Sequence, residues 1–410
     1  MKKHLDPQNH GFALSLALLV VVLLLIVGSS LLTLGVNSRI VSIRNAQQIQ
    51  ARCAADSGLA KALWDMNHKL DVKSWDDSNL PLMTNQCLPN CDAVFSYSVT
   101  NNHSSSYTII SVGNCGSATA KVYAVVGLQG LFDNAILVKD RISLMPKALV
   151  DGYNSADPFD TEFDVAIGTT SILDDRIPLG PGTVIDGDVF VGVGGDPGTV
   201  VGAGGNVSGR KYSLVVEPEF PVITPPSLPS AGTALSATGT TVTLDPADSG
   251  KYTEINLSQG GGMPGILEVQ GGDVVLHITG NINMGNGCEL IVKADSSLIL
   301  YIDGDISTDN SVGINNQAGN VDDFKLYGTG TGTQVFSLKA KSSVFGTVYA
   351  PDADITLYPN AEMYGAIVGR NVTFKSGSVF YYDEAVRNVA ADDEGVRFYI
   401  KRWYENNPDL

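Results

Sequence analysis

The stretch Phe12–Val36, FALSLALLVVVLLLIVGSSLLTLGV, decides the organisation of this 410-residue chain. No residue from Phe12 to Ser38 is charged. About 20 apolar residues suffice to cross a bilayer, whereas the apolar core of a cleaved secretory signal has only about 7–15. The stretch therefore predicts a single transmembrane helix, preceded by the short polar leader MKKHLDPQNHG, residues 1–11.

Helical character continues beyond this apolar stretch. Apolar residues recur mostly three or four positions apart from Ile40 to Leu63, which is the spacing of one face of a helix. No proline interrupts residues 12–80. The sequence therefore predicts one continuous helix over residues 12–70, transmembrane at first and then amphipathic. At a rise of about 1.5 Å per residue it would be about 90 Å long.

The leader, the apolar span and the amphipathic extension together resemble type IV prepilins. The segment Ala54–Leu59, AADSGL, resembles the signature of PilX-type pilus assembly proteins. The resemblance implies that a prepilin peptidase cleaves after Gly11 and methylates the new N-terminal residue, Phe12. The family's usual glutamate is replaced by Leu16, which favours a minor, tip-located pilin. An uncleaved signal anchor is the alternative.

The resemblance also has consequences for location and partners. It implies a bacterial inner-membrane protein with a single membrane pass, whose bulk is periplasmic or extracellular and associated with a pilus. Other pilin-like subunits would be partners through the N-terminal helix.

Residues 71–130 are predicted to form a small β domain that packs on the helix. Three runs rich in β-branched and aromatic residues predict strands, at residues 93–99, 107–112 and 120–126.

Five cysteines offer a disulfide framework outside the cytoplasm. Cys87, Cys91 and Cys115 are the candidate disulfide partners, with their connectivity left open. A zinc site is the competing interpretation, but only His103 lies close to these cysteines. Cys288 is predicted to be an unpaired core residue.

Internal repeats appear beyond residue 131. Leu276–Ile282, LHITGNI, is repeated as Leu300–Ile306, LYIDGDI, and Val184–Val189, VIDGDV, is an earlier relative. Gly346–Tyr349, GTVY, is similarly repeated as Gly365–Val368, GAIV. Such repeats predict a right-handed parallel β-helix, or β-solenoid, in which each turn of the chain stacks on the previous one. A β-sandwich is the alternative.

The repeats and their interruptions give the predicted domain boundaries. A first solenoid part covers residues 131–216, and the main solenoid covers residues 232–383. Between them lies a Pro-rich segment, EPEFPVITPPSLPS, which cannot join a central strand and is predicted to be a linker or strap at residues 217–231. Residues 384–410 are predicted to be a C-terminal cap, with a short helix from Asp383 and a strand near residues 396–404.

The repeated region also carries a family resemblance. It resembles the β-solenoid domain found behind PilX-type N-termini in bacterial surface proteins, a family without a defined activity. The resemblance rests on three segments, YAPDADI, YGAIVG and YDEAV, at residues 349–355, 364–369 and 382–386.

Acidic residues two positions apart share one face of a strand and are the candidates for chemistry. Asp303 with Asp305, and Asp352 with Asp354, could present two carboxylates to a sugar, but solvated corner residues explain them equally well. Calcium is a second candidate, through the oxygen ligands Asp303, Asp305, Asp309 and Asn310. No catalytic triad or regular metal motif is present in the sequence. The sequence therefore predicts no enzyme, no catalytic residues, no bound metal and no cofactor.

A net charge of −17 argues against nucleic-acid binding, because such a surface repels phosphate. The favoured function is that of a minor pilin-like structural subunit of a type IV pilus or related assembly system. It would display the solenoid at the cell surface for assembly or adhesion, with a surface glycan or protein as ligand. The alternatives are an anchored polysaccharide-binding or polysaccharide-cleaving β-helix protein, and a static envelope scaffold.

Overall fold

The structure, a computed structural model, describes residues 10–71, 75–102, 106–157, 159, 163, 165–309, 313–339, 344–358 and 362–405. A long N-terminal apolar helix is followed by a mainly-β region. The chain divides into two compact units. The N-terminal unit comprises Met1–Leu128 with Arg397–Leu410, and the inserted unit comprises Gln129–Val396.

The N-terminal unit begins with one uninterrupted helix, α1, His10–Asp71. Its length confirms the continuous helix predicted from the absence of proline. An antiparallel meander follows, formed by β1 Leu82–Cys87, β2 Val94–Asn101, β3 Ser106–Cys115 and β4 Ala118–Gln129. The last three strands confirm those predicted from β-branched and aromatic residues.

The face of α1 that packs on this sheet consists mainly of small residues and differs from the predicted one. Ile40, Ile43 and Ile49 are exposed. The residues buried against the sheet are Ala51, Ala54, Ala55, Gly58, Leu59, Ala62, Met66 and Leu70. Helical spacing alone identified a helix but not its buried face, because that choice depends on how closely the sheet approaches.

The inserted unit consists mostly of short strands that stack in parallel; we call this assembly the parallel stack. Its strands are β5 Ile136–Leu144, β6 Leu149–Tyr153, β7 Ala166–Thr169, β8 Val184–Ile185, β9 Asp188–Val191, β10 Asn206–Val207, β11 Lys211–Ser213, β12 Leu235–Thr238, β13 Thr241–Leu244, β14 Gly250–Tyr252, β15 Ile255–Ser258, β16 Ile266–Val269, β17 Asp273–Ile278, β18 Ile282–Met284, β19 Glu289–Val292, β20 Ser297–Ile302, β21 Ile306–Thr308, β22 Gly313–Asn316, β23 Phe324–Gly328, β24 Gln334–Leu338, β25 Val344–Leu357, β26 Glu362–Phe374 and β27 Val379–Asp383. A short helix, α2 Pro197–Val200, and 3-10 turns at Pro246–Asp248, Val321–Asp323 and Glu384–Arg387 complete the unit.

The register of the stack follows the repeats seen in the sequence. Leu276 pairs with Leu300, Ile282 with Ile306, and Gly346 with Gly365, each in parallel. Alternate residues point inward and form ladders of buried apolar side chains along the stack. One such ladder is Leu276, Leu300, Leu326, Val348 and Ile367.

The order of strands along the stack differs from their order along the chain. β26 pairs with β5, and β27 pairs with β6, so the repeats of residues 136–213 continue the stack beyond residues 362–383. β5, β7, β9 and β11 then follow one another outward. The two ends of the stack are therefore formed by residues 206–213 and 235–244, which are close in sequence.

The Pro-rich segment connects these two ends along the outside of the stack, so it acts as a strap. Tyr349 Oη on β25 donates a hydrogen bond to the Pro221 carbonyl at 2.7 Å. Ile223 is buried, and Lys251 N on β14 donates to the Pro229 carbonyl at 2.7 Å. Of the two predicted roles, linker or strap, the contacts support the strap.

The chain returns to the N-terminal unit through its last strand, β28, Arg397–Glu405, which lies beside β4 and extends the first sheet to five strands. The predicted short helix at Asp383 exists as the 3-10 turn Glu384–Arg387. The predicted cap of residues 384–410 needs correction, because β28 belongs to a different sheet from the stack. Its alternating pattern fits either sheet edge, so sequence alone could not choose between them.

Candidate functional site

The first half of α1 is apolar and exposed. Leu18 and Leu24 are each 66% exposed, and the apolar side chains through Val36 behave alike. By length and composition, α1 is long and apolar enough to cross a membrane. Leu16, which stands where the prepilin glutamate is expected, is exposed among them.

The predicted processing residues lie at the start of this helix. Gly11 and Phe12 belong to α1, and residues 1–9 of the leader lie outside the described residues. Nothing in this placement tests cleavage or methylation, which stay predictions.

The segment Ala54–Leu59, which carries the resemblance to PilX-type proteins, fits α1 against β3. Ala54, Ala55, Gly58 and Leu59 are buried, whereas Asp56 is exposed. A Cβ atom on Gly58 would overlap the Ser111 hydroxyl, so no larger side chain fits there without displacement. The small residues of this segment therefore let the helix and the sheet approach closely.

A polar contact centred on Asp65 joins the second half of α1 to the same sheet. Lys61 Nζ donates to Asp65 Oδ1 at 2.8 Å, and Tyr97 on β2 donates a short hydrogen bond to Asp65 Oδ2. Burial and the hydrogen bond to Asp65 raise the pKa of Tyr97 well above its ordinary value. The tyrosine therefore stays protonated and keeps its hydrogen bond at physiological pH.

An aromatic cluster of Trp75, Tyr107 and Phe398 lies in the N-terminal unit. Trp75 Nε1 donates to Tyr107 Oη at 2.9 Å, and Tyr107 donates to Asp77 Oδ1 at 2.7 Å. Burial and the hydrogen bond to Asp77 raise the pKa of Tyr107 to about 12. Phe398 of β28 packs on Tyr107, with 5.1 Å between ring centroids. This contact ties β28 to the unit.

All five cysteines are free thiols in the structure. Cys87 is exposed, Cys91 is half-buried, and Cys115 is buried with Sγ 2.9 Å from Gln50 Oε1. Cys288 is fully buried in the stack, as its prediction as a core residue requires. The pairing among Cys87, Cys91 and Cys115 stays a prediction.

The acidic pairs are engaged in contacts within the stack. Asp303 lies 3.0 Å from His277 Nε2 and accepts a hydrogen bond from the Thr329 hydroxyl at 2.7 Å. Asp305 accepts from Val335 N at 2.8 Å. These contacts join successive strands, which is a structural role.

The second acidic pair, Asp352 and Asp354, is likewise engaged in contacts within the stack. Asp352 pairs with Lys139 Nζ at 2.8 Å, and Asp354 accepts from Arg370 Nε at 2.9 Å and from Asn371 Nδ2 at 2.7 Å. The described residues hold no group of three or more His, Cys, Asp or Glu side chains that could hold a metal ion. The calcium candidates Asp303, Asp305 and Asp309 are thus not brought together as a ligand set, and Asn310 lies outside the described residues.

One feature that sequence reasoning missed is a row of uncharged polar side chains on the outer face of the stack. We call it the polar row. Its members occupy equivalent positions on eight successive strands: Ser236, Asn256, Asn283, Ser307, Ser337, Thr356, Thr373 and Ser143. The residues are far apart in sequence, so only the register of the stack reveals the row. The only sign of the row in the sequence was that each member lies in the middle of a short triplet, mostly apolar-polar-apolar.

Comparisons with known proteins give limited matches. A family model, described as a domain of unknown function, DUF7305, matches residues 229–389. The chain also aligns with the crystal structure of the competence-associated pilin ComZ from Thermus thermophilus, at 13% identity and a TM-score of 0.23. That alignment covers 88% of this chain and 97% of the other. The search among curated proteins gave no match. The family match thus covers the main part of the stack and excludes residues 131–216.

Proposed function

We propose that this chain is a minor pilin-like, membrane-anchored subunit of a type IV pilus or related assembly system. The observation that carries the proposal is α1. One uninterrupted helix is apolar and exposed in its first half and packs on an antiparallel sheet in its second half. Such a helix can anchor the subunit in the inner membrane and pack against the helices of other pilin-like subunits, while the remainder folds outside the bilayer.

The sequence supports the finer parts of this proposal. The Gly11–Phe12 junction directly precedes the apolar span, as a substrate of a prepilin peptidase requires. The AADSGL segment favours a PilX-type assembly protein. Leu16 provides no carboxylate for the N-terminal amine of a neighbouring subunit, which favours a minor subunit over a bulk filament subunit.

The inserted unit would be a right-handed parallel β-solenoid displayed at the cell surface. Parallel neighbours and a register that follows the sequence repeats support this proposal, since the strands of a β-sandwich are antiparallel. The right-handed sense follows the general preference of parallel crossover connections. The displayed unit would have a structural or binding role and no catalytic one. The engagement of both acidic pairs in contacts between strands supports that role.

Intact-mass and N-terminal analysis of the chain purified from its host's membranes tests the proposal. We expect a mature chain that begins with methylated Phe12. Gly11→Val should block cleavage and leave Met1 at the N-terminus. A matched control is Gly28→Ala, because Gly28 lies within the apolar part of α1 and has open space around it.

Pilus association provides the second measurement. Deleting residues 1–38 should release a soluble protein that is absent from pili. A wild-type chain that still begins at Met1 would leave only a signal anchor, and unchanged pilus association of the deletion variant would contradict the pilin-like role.

A further inference from the structure

The side chains of the polar row point outward and repeat at each strand. Their neighbours on either side, such as Ile355 and Leu357 around Thr356, are buried. Ser236, Asn283 and Ser307 are exposed, and the other five members are partly exposed. At a strand spacing of about 4.8 Å, the row extends about 34 Å along the stack. It therefore offers a long, regular and accessible line of hydrogen-bonding groups.

The side chains of the polar row make few hydrogen bonds within the protein. Asn283 Nδ2 donates to Asn256 Oδ1 at 3.0 Å. In the part of the chain that the structure describes, no side-chain hydrogen bond is found for the six hydroxyl groups of the row. The hydroxyl groups therefore keep their full capacity to donate and to accept.

The adjacent outward row differs in this respect. Asp354, Asn371 and Arg141 occupy its equivalent positions on β25, β26 and β5. Asp354 is bonded to Arg370 and Asn371, and Arg141 lies 3.3 Å from Asp175. The side chains of this adjacent row are thus paired within the protein, whereas the hydroxyl groups of the polar row are not.

Three outward aromatic residues of the stack cover one another. Phe345, Tyr364 and Tyr381 stack on one another, with centroid separations of 4.5 and 4.9 Å. Because each ring covers the face of the next, this ladder stabilises the stack and offers little ring surface to a ligand. Recognition along the polar row would therefore rely on hydrogen bonds and not on these three rings.

The chemistry of the polar row indicates the class of partner. Nucleic acid requires positive charge, and a lipid surface requires exposed apolar or basic groups, but the row has neither. A peptide that adds a strand requires a free sheet edge, whereas the row runs across the strands in the middle of a sheet. A neutral polysaccharide presents hydroxyl groups that both donate and accept at regular intervals, as do Ser, Thr and Asn.

We propose that the polar row binds a neutral, extended polysaccharide that lies along the axis of the parallel stack. Each strand contributes one weak polar contact, so affinity grows with the number of sugar units that engage the row. The inference rests on the proposed function in one respect, because the stack must be exported to meet such a polymer.

The test measures binding by the purified full-length chain in a detergent without a sugar headgroup. The probes are soluble neutral β-glucan and its oligosaccharides of increasing length. Isothermal titration calorimetry measures their binding. Alginate serves as an anionic comparator. We expect binding to the neutral polymer that strengthens with oligosaccharide length, and weak or no binding to alginate.

A pair of variants assigns the binding to the polar row. Ser307→Lys with Thr356→Lys places two long charged side chains at its centre and should weaken binding about tenfold or more, a loss of about 1.4 kcal/mol. Thr241→Lys with Thr243→Lys adds the same charge on β13, which belongs to another sheet of the stack, and should leave binding unchanged. Unchanged thermal unfolding of both variants would verify that the stack remains folded.

The inference would be overturned by no binding to the neutral polymer, by an equal loss of affinity in both variants, or by preference for the anionic polymer. Self-association of the chain that the polar-row variant abolishes would also overturn it, by identifying a second copy as the occupant. The calorimetry is independent of processing. A chain that begins at Met1 and still binds β-glucan would refute the pilin-like role and leave the polysaccharide inference standing.

Discussion

At the residue scale, Gly113 sets the distance between α1 and the first sheet. A Cβ atom there would overlap the Ala51 carbonyl oxygen and crowd Ala55 N, both of them backbone atoms. Backbone atoms cannot rotate away as a flexible side chain can, so the helix would have to move as a whole. The alanines of the AADSGL segment face the same contact, and together they make a close helix–sheet interface without large side chains.

Gly113→Ala should therefore destabilise the N-terminal unit by about 1–3 kcal/mol, the usual cost of overpacking. All three tryptophans, Trp64, Trp75 and Trp403, belong to this unit, so tryptophan fluorescence during denaturant unfolding reports on it alone.

Gly127→Ala on β4 is the matched control. The nearest atoms to its new Cβ belong to the end of the Lys401 side chain, which can move at little cost. Equal destabilisation by the two substitutions would show that the close approach of α1 to the sheet at Gly113 is not what makes the substitution costly.

At the element scale, the strap is under a length constraint. Its Pro221 carbonyl is bonded to β25 and its Pro229 carbonyl to β14, and these strands are four spacings, or about 19 Å, apart. Eight residues at the polyproline II rise of about 3.1 Å cover about 25 Å. The strap is thus extended, with little slack, and its prolines favour that conformation.

Deleting residues 224–227 leaves about 13 Å of chain, which is too short for both contacts to form. We expect the strap to detach from Tyr349 and to expose Ile223, at a cost of about 2–4 kcal/mol to the inserted unit. The backbone amides of β23 and β25 should therefore exchange hydrogen for deuterium faster. Mass spectrometry measures this exchange.

Insertion of four Gly and Ser residues after Ser227 is the matched control. Lengthening a loop by this amount costs only a few tenths of a kcal/mol, so exchange should stay close to that of the wild type. Protection that is unaffected by the deletion would show that the strap contributes little to the stack.

At the scale of the whole molecule, the first and last repeats of the inserted unit are neighbours in the middle of the stack. Its first repeats, residues 136–213, pair with its last, residues 362–383, and the strap joins the two ends of the stack. The chain therefore enters and leaves the stack at neighbouring repeats, as the insertion of one folded unit into another requires. The family match at residues 229–389 covers only part of this closed arrangement.

Residues 129–396 produced alone should fold, because they contain the complete stack and its apolar core. Residues 232–383 alone should aggregate, since removing β5 and β6 exposes the edges of β26 and β27 together with apolar residues such as Ile367 and Val372. Size-exclusion chromatography with light scattering distinguishes a monomer from aggregates. A monomeric, cooperatively unfolding 232–383 fragment would contradict the requirement for the N-terminal repeats.

The sequence by itself determined the elements and much of their register. An uncharged apolar span without proline made one long helix, and the repeats LHITGNI and LYIDGDI specified a pairing of Leu276 with Leu300, because like residues stack on like in a repeated parallel arrangement. Tertiary structure alone decided the buried face of α1, the place of β28 beside β4, the pairing of β26 with β5 and the assembly of the polar row. Each of these depends on contacts between segments far apart in the chain, where local patterns of polarity and conformational preference fit several partners equally well.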